Sequence, residues 1–302
     1  MRRLRRDGPV ALALILAALT SSCGIFNVLL FRKKPVLRNG KTAAQVTLMS
    51  ASQEELVAKI SRIYGAINSF QATVDMTPSV GSVYGKGQIS EIPDVRAFIL
   101  FMKPADIRIQ AQTPVVRTQA FDMASNGRTF HLFLNTKNIF YEGANNAPKT
   151  SKNQFENMRP EVFLESMLVR PPEQGENPAL TDLTDSENAF YVLQLIQKLD
   201  NGGVRVARQV WFDRVDLTIS RQMVFDDKGS ILSDTRYNKW QMYNGVQFPA
   251  HIDITRPIDS FGAVLDIVEM QMNKPLTSDQ FVLTQPEGSK LQVIGTPGQV
   301  LP

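Results

Sequence analysis

The stretch "VQFPAHIDITRP", residues 246–257, decides the fold class. Val246, Phe248, Ala250, Ile252 and Ile254 fall on one side of an extended chain. Gln247, His251, Asp253 and Thr255 fall on the other. Successive side chains of a strand point to opposite faces, so this period of two predicts a strand with one face in an apolar interior and one toward water. The "YNG" before it reads as a tight turn in which glycine accepts a positive φ.

Working outward, the same signals recur. Upstream lie "AFYVLQLIQKL", "VRVARQVWFDR", "LTISRQMVFDD" and "SILSDTRYNKWQMY"; downstream lies "AVLDIVEMQM". "LDNGGVR" and "DDKGS" supply turns. The first half reads alike: "FQATVDM", "SVYGKGQISEI", "VRAFILFMK", "DIRIQAQ", "VVRTQAFDMA", "RTFHLFL" and "NIFYEG" are strand-like. Pro93-Asp94, Lys103-Pro104, Asn126-Gly127 and Gly143 to Asn146 break them. "VRAFILFM" is apolar on both sides, which predicts a strand covered on both faces or touching a ligand. "RPPEQGENPALTDLTDSEN", residues 170–188, is Pro-rich and acidic and reads as a surface excursion.

Two helices interrupt the strands. In "SASQEELVAKISRIYGAINSF" Ser52 and Glu55 form a capping box. Leu56, Val57, Ile60, Ile63, Tyr64 and Ile67 make one apolar stripe, with Lys59 and Arg62 opposite. "RPEVFLESMLV" predicts a short helix with Pro160 in its first turn. About a dozen antiparallel strands must curl, because strand twist accumulates. The expected architecture is mainly β with helices (α+β): a curled antiparallel half-barrel with a helical lid over an apolar concave face. One body spans 51–290, followed by a tail at 291–302.

Charge is uneven. Of 33 Lys and Arg, eight lie before residue 39, with Asp7 the only acid there, so the body carries a slight acidic excess. That argues against a nucleic-acid-binding face. "MRRLRRDG" is basic, "VALALILAAL" (10–19) is apolar, and small residues precede Cys23, the only cysteine. This is the layout of an export signal. It resembles a bacterial lipoprotein signal, 1–22, with Cys23 lipidated by palmitate-type acyl chains, although Thr20 stands where such signals usually have leucine. A tether, 23–50, follows. The alternative is an uncleaved inner-membrane anchor at 10–31, 22 uncharged residues long. With Gly24 after the cysteine, the lipoprotein reading places the body at the outer membrane, facing the periplasm.

Catalytic chemistry is not legible. His131 and His251 sit in strand patterns without convergent partners, and nothing has metal-ligand spacing. "GSVYGKG" has glycines but no following helix, so it is not a phosphate loop. Asp226-Asp227 and Asp213/Asp216 stand at turns, where an acid ordinarily makes the turn; a hydrolase would need them in a cleft. Phe98, Phe101, Phe130 and Phe133 are either stacking platforms or core. No catalytic residue, metal or cofactor is expected. What remains is the concave face. Its candidate cavity residues are Leu56, Ile60, Ile63 and Ile67 on the helix side, and Ala97, Ile99, Phe101, Ile107, Ile109, Phe130, Leu132 and Leu134 on the sheet. The alternative is that these residues simply fill the core.

The order of several segments resembles a family: "EELVAKISRIYGAINSFQATVDM", "VRAFILFMKPADIRIQAQTPV", "FDMASNGRTFHLFLNTKNIFYEG", "VWFDRVDLTISRQMVFDDKGSI", "YNKWQMYNGVQFPAHIDITRP" and "MNKPLTSDQFVLTQPEG". Together they resemble the LolA/LolB-type lipoprotein carriers and LolA-like lipoproteins of the bacterial outer membrane. The resemblance implies a half-open barrel with a helical lid and a hydrophobic cavity. It implies binding of lipid or of a lipoprotein's acyl chains, without catalysis, in lipoprotein transfer or localisation. The acidic segment 171–189 falls outside the shared pattern. A second function, docking of an envelope protein partner on the same scaffold, remains open from the sequence.

Overall fold

The computed structural model describes residues 47–80, 90–91, 93–145, 159–185 and 187–294. The leader, Cys23, the alternative span at 10–31, nearly all of the tether and "GSVYGKG" lie outside them, as does the end of the tail. Among the described residues no helix is long and apolar enough to cross a membrane.

The first element is helix α1, Gln53–Ala66. The expected capping box is present: Glu55 N–H donates to Ser52 Oγ at 3.2 Å, and Ser52 N–H to Glu55 Oε2 at 2.7 Å. Strands β1 (Ser69–Val80), β2 (Ser90–Glu91), β3 (Val95–Met102), β4 (Asp106–Gln112), β5 (Gln119–Ser125), β6 (Thr129–Leu134) and β7 (Ile139–Ala144) follow. Helix α2, Pro160–Met167, leads into β8 (Glu176–Thr184), β9 (Ala189–Lys198), β10 (Val204–Asp213), β11 (Ile219–Phe225), β12 (Ile231–Tyr243), β13 (Val246–Arg256) and β14 (Phe261–Met272). A 3-10 turn at Ser278–Phe281 precedes β15, Lys290–Ile294.

All fifteen strands form one sheet, in the order β15-β7-β6-β5-β4-β3-β1-β14-β13-β12-β11-β10-β9-β8, with β2 pairing the end of β1. Two antiparallel meanders, β1–β7 and β8–β14, are thus joined along a single β1/β14 seam. Its register runs from Phe70 opposite Met272 to Val80 opposite Phe261. The fold is mainly β with few helices, a large curled sheet.

One apolar core gathers alternate residues of most strands, with Leu56 and Ile60 of α1 and Phe163 and Met167 of α2. Burying each such side chain stabilises by about 1.5–3 kcal/mol. α1 lies against β8 and β13, and α2 against β4, β5 and β13. A smaller cluster, Ala124, Phe133, Phe140 and Leu283, lies apart from it. There the chain on either side of Phe281 is tied down by Arg108, whose Nη1 donates to the carbonyls of Gln280 (3.1 Å) and Val282 (3.3 Å).

Four expectations change. The Pro-rich, acidic stretch 170–188 contains a strand, β8. It pairs β9 alone, and an edge strand tolerates Pro178. Arg208, buried, ties this edge down through an ion pair to Glu176 and bonds to the carbonyls of Arg170 (3.0 Å) and Pro171 (3.1 Å). Of the two readings of "VRAFILFM", cover on both faces does not hold: Val95, Ala97, Ile99 and Phe101 are buried, whereas Arg96 and Phe98 are exposed. The strands number fifteen among the described residues, not about a dozen. Finally, β15 extends the sheet past residue 290 and pairs β7 in parallel. Gly143 lets it in, since a Cβ there would lie 2.7 Å from the Ile294 carbonyl oxygen.

Candidate functional site

The site is built around α2. Arg159 precedes the helix and Pro160 occupies its first turn, where a missing N–H costs nothing. No side chain caps its N-terminus. At its other end the sheet satisfies two backbone carbonyls that a short helix leaves open. Tyr237 Oη of β12 donates to the Ser166 carbonyl at 2.8 Å, and Gln222 Nε2 of β11 to the Glu165 carbonyl at 3.1 Å. Burial, then the charge of Glu165, push the Tyr237 phenol well above its ordinary range, so it stays protonated and donates.

Charged groups hold the same helix from β13 and the turn after it. Arg256 Nη1 lies 3.4 Å from Glu165 Oε2, and its Nε donates to Asp259 Oδ2 at 2.6 Å. The guanidinium of Arg159, only 1% exposed, stacks 4.2 Å over the Phe130 ring. Burial lowers its pKa to about 10 while the charge of Asp259 opposes the drop, so it remains a cation at neutral pH.

Beside α2 opens a pocket of about 380 Å³. Ile107, Val162, Leu164 and Leu168 give it apolar walls, and Arg159, Glu165, Arg170 and Arg256 a polar side. Gly127, at φ +84°, closes one rim; a Cβ there would lie 2.7 Å from Ala105 Cβ. A narrow apolar crevice of about 20 Å³, lined by Ile63, Ile67, Met167 and Trp240, runs between the two helices and β13. Tyr64 and Leu168 line both spaces, so the crevice meets the pocket there.

α1 is held differently. Lys103 Nζ donates to the Tyr64 carbonyl at 2.7 Å and lies 4.2 Å over its ring. Asn273 Nδ2 donates to the Ala66 carbonyl at 2.8 Å, and its Oδ1 accepts from Asn68 N–H at 2.8 Å.

The structure brings the sequence-derived cavity residues together. Leu56, Ile60, Ile67, Ala97, Ile99, Phe101, Ile107, Ile109, Phe130, Leu132 and Leu134 are buried in the one core, with Ile63 packed against it. Ile107 lines the larger pocket; Ile63 and Ile67 line the crevice. Of the four phenylalanines singled out as platforms or core, Phe101, Phe130 and Phe133 are buried and Phe98 is 38% exposed. His131 packs on Phe140 and His251 Nδ1 lies 2.8 Å from Asp266 Oδ1. Asp213, Asp216 and Asp226 each accept backbone N–H bonds within turns. Among the described residues no three His, Cys, Asp or Glu cluster as a metal site.

Sequence reasoning missed the polar side of the pocket, Arg159, Glu165 and Arg256, and Tyr237 of the crevice, which holds the end of α2. One signal was available. Arg256 extends the apolar face Val246–Phe248–Ala250–Ile252–Ile254, and a charge on an inward face needs a partner.

A curled antiparallel sheet with two helices on its apolar face is the class of architecture these observations define. No family model and no curated protein matches the sequence. Solved structures do. A DUF1329 family protein from Desulfovibrio piger is similar over 76% of this chain and 95% of its own, at 11% identity and a TM-score of 0.52. A LolA superfamily protein from Nitrosomonas europaea is similar over 78% and 99%, at 15% and 0.48. A protein named as an outer membrane lipoprotein-sorting domain, from Vibrio parahaemolyticus, is similar over 76% and 97%, at 13% and 0.46. The first likeness shows a shared fold.

Proposed function

We propose that this chain is an envelope lipoprotein, held to the outer membrane through lipid on Cys23, that takes acyl chains of lipids or of other lipoproteins between its sheet and its two helices. In this reading α2 is the lid. The observation that carries it is the meeting of crevice and pocket at Tyr64 and Leu168. A chain end entering from the pocket reaches an apolar seam walled by Ile63, Ile67 and Met167. Each methylene that leaves water for that seam contributes about 0.8 kcal/mol. A crevice of about 20 Å³ holds roughly one water-sized probe, so uptake requires α2 to move outward. The bonds opposing that motion are Tyr237–Ser166, Gln222–Glu165 and Arg256–Glu165.

The test is native mass spectrometry of the full chain purified without detergent, followed by titration with a fluorescent sixteen-carbon fatty acid. Co-purified lipid and saturable uptake are expected. Repeatedly lipid-free spectra together with no uptake would falsify the carrier reading.

A second reading has its own support. Most of the sequence-derived cavity residues are buried in the core, which suits a scaffold that docks an envelope protein. A crosslinked protein partner found without bound lipid would favour it.

A further inference from the structure

The face of the sheet opposite the helices carries a groove that the acyl-chain reading leaves unused. Two depressions, about 210 and 580 Å³, meet at Thr73 and Phe98. They cross β14, β1, β3 and β4, neighbours in the sheet. Register aligns outward side chains into rows. One row reads Glu269–Thr73–Phe98–Gln110, and the next Asp266–Asp75–Arg96–Gln112. Steps between strands are about 4.8 Å. Phe98 stands where the depressions join, and it is the member of its phenylalanine quartet that faces solvent.

Asp75 and Arg96 pair at 2.8 Å. Among the described residues the side chains of Gln71, Gln112 and Arg117 make no hydrogen bond or ion pair, so their donors and acceptors are available. Backbone groups along these rows are spent on ladders to both neighbours, and no strand edge is offered to an incoming peptide. Recognition must come from side chains alone: an aromatic face, amides that both donate and accept, carboxylates and a guanidinium. A sugar ring matches that set. Its C–H face lies flat on an aromatic ring, and its hydroxyls donate and accept as amides do. Polynucleotide fits poorly, since Asp75, Asp94 and Glu269 offset Arg96 and Arg117.

We propose that the groove around Phe98 binds a chain of hexopyranose sugars. It lies on the opposite face from the pocket and stands independently of the acyl-chain function. Saturation-transfer NMR on the full chain tests it, with cellohexaose, maltohexaose and chitotetraose as probes and an unstructured dodecapeptide as control. Saturation of ring C–H protons is expected for at least one sugar, and the two linkage types separate β-linked from α-linked sources. Phe98→Ala is expected to weaken that sugar about tenfold, a stacking-sized loss. Phe98→Trp retains binding, and fatty-acid uptake is unchanged in both variants. No sugar binding at millimolar concentration overturns the proposal, as does equal affinity in Phe98→Ala or binding of the peptide alone. Should Phe98→Ala fail to fold, the double variant Gln112→Ala/Arg117→Ala decides by the same readout, and an unchanged affinity overturns it.

Discussion

The two helices lie on the same sheet and are secured by opposite means. α1 has fourteen residues and carries its own start signal in Ser52 and Glu55; Lys103 and Asn273 fasten its end. α2 has eight residues, no side-chain N-cap, and C-terminal carbonyls satisfied by Tyr237 and Gln222 from the sheet. So short a helix is marginal by itself, and its stability comes from packing. The contrast teaches which element can respond to a ligand: α1 is specified locally, whereas α2 exists because of what it touches.

The strongest way to break the contrast is to remove a core side chain from each helix. Ile60→Ala and Phe163→Ala are each expected to cost about 2–5 kcal/mol in urea unfolding. Hydrogen exchange should then differ. Phe163→Ala raises exchange in α2 far more than in α1; equal protection in both helices would erase the distinction. Next in size, Tyr237→Phe leaves the Ser166 carbonyl without its donor, at about 1–3 kcal/mol. It is expected to speed fatty-acid uptake in stopped-flow fluorescence. Ser52→Ala, the counterpart in α1, costs about 1 kcal/mol and leaves uptake unchanged.

Smaller still is Glu165→Gln, which weakens a partly exposed ion pair worth about 1 kcal/mol or less while Arg256 keeps Asp259. Faster uptake with a nearly unchanged melting temperature is expected. The last effect is a pH dependence. The Tyr237 pKa is raised in the folded protein, so its contribution is intact below the unfolded phenol's value, near 10, and falls as pH rises past it, where only the unfolded chain ionises. Comparing thermal melts at pH 8 and above 10 with those of Tyr237→Phe isolates this term. A wild-type alkaline loss no larger than the variant's would remove it.

Much of this contrast could be read in advance, and the unread part has a physical cause. The capping box, the apolar stripe of α1 and the alternation of β13 are local patterns, each complete within about a dozen residues, and they appear as expected. The ring around α2 is not local. Glu165 meets Arg256 across 91 residues, and Ser166 meets Tyr237 across 71. No spacing rule joins them. Edge strand β8 escaped because proline and acids, which blunt an edge, are also the marks of a loop. Phe98 was one of four similar phenylalanines in strand-like sequence; only the sheet's pleat separates it from Phe101.

The β1/β14 seam sets a schedule for biogenesis. Asn68 N–H waits for Asn273, 205 positions later, and the whole first strand shares that wait. A nascent chain therefore has both meanders in hand before it can zip them together, and so distant a closure is slow. During that interval β1 and β14 each present a bare margin, the kind of surface chaperones guard. Stopping synthesis after Arg256 would leave the zipper without its second half, and the product should be found aggregated or degraded, not folded.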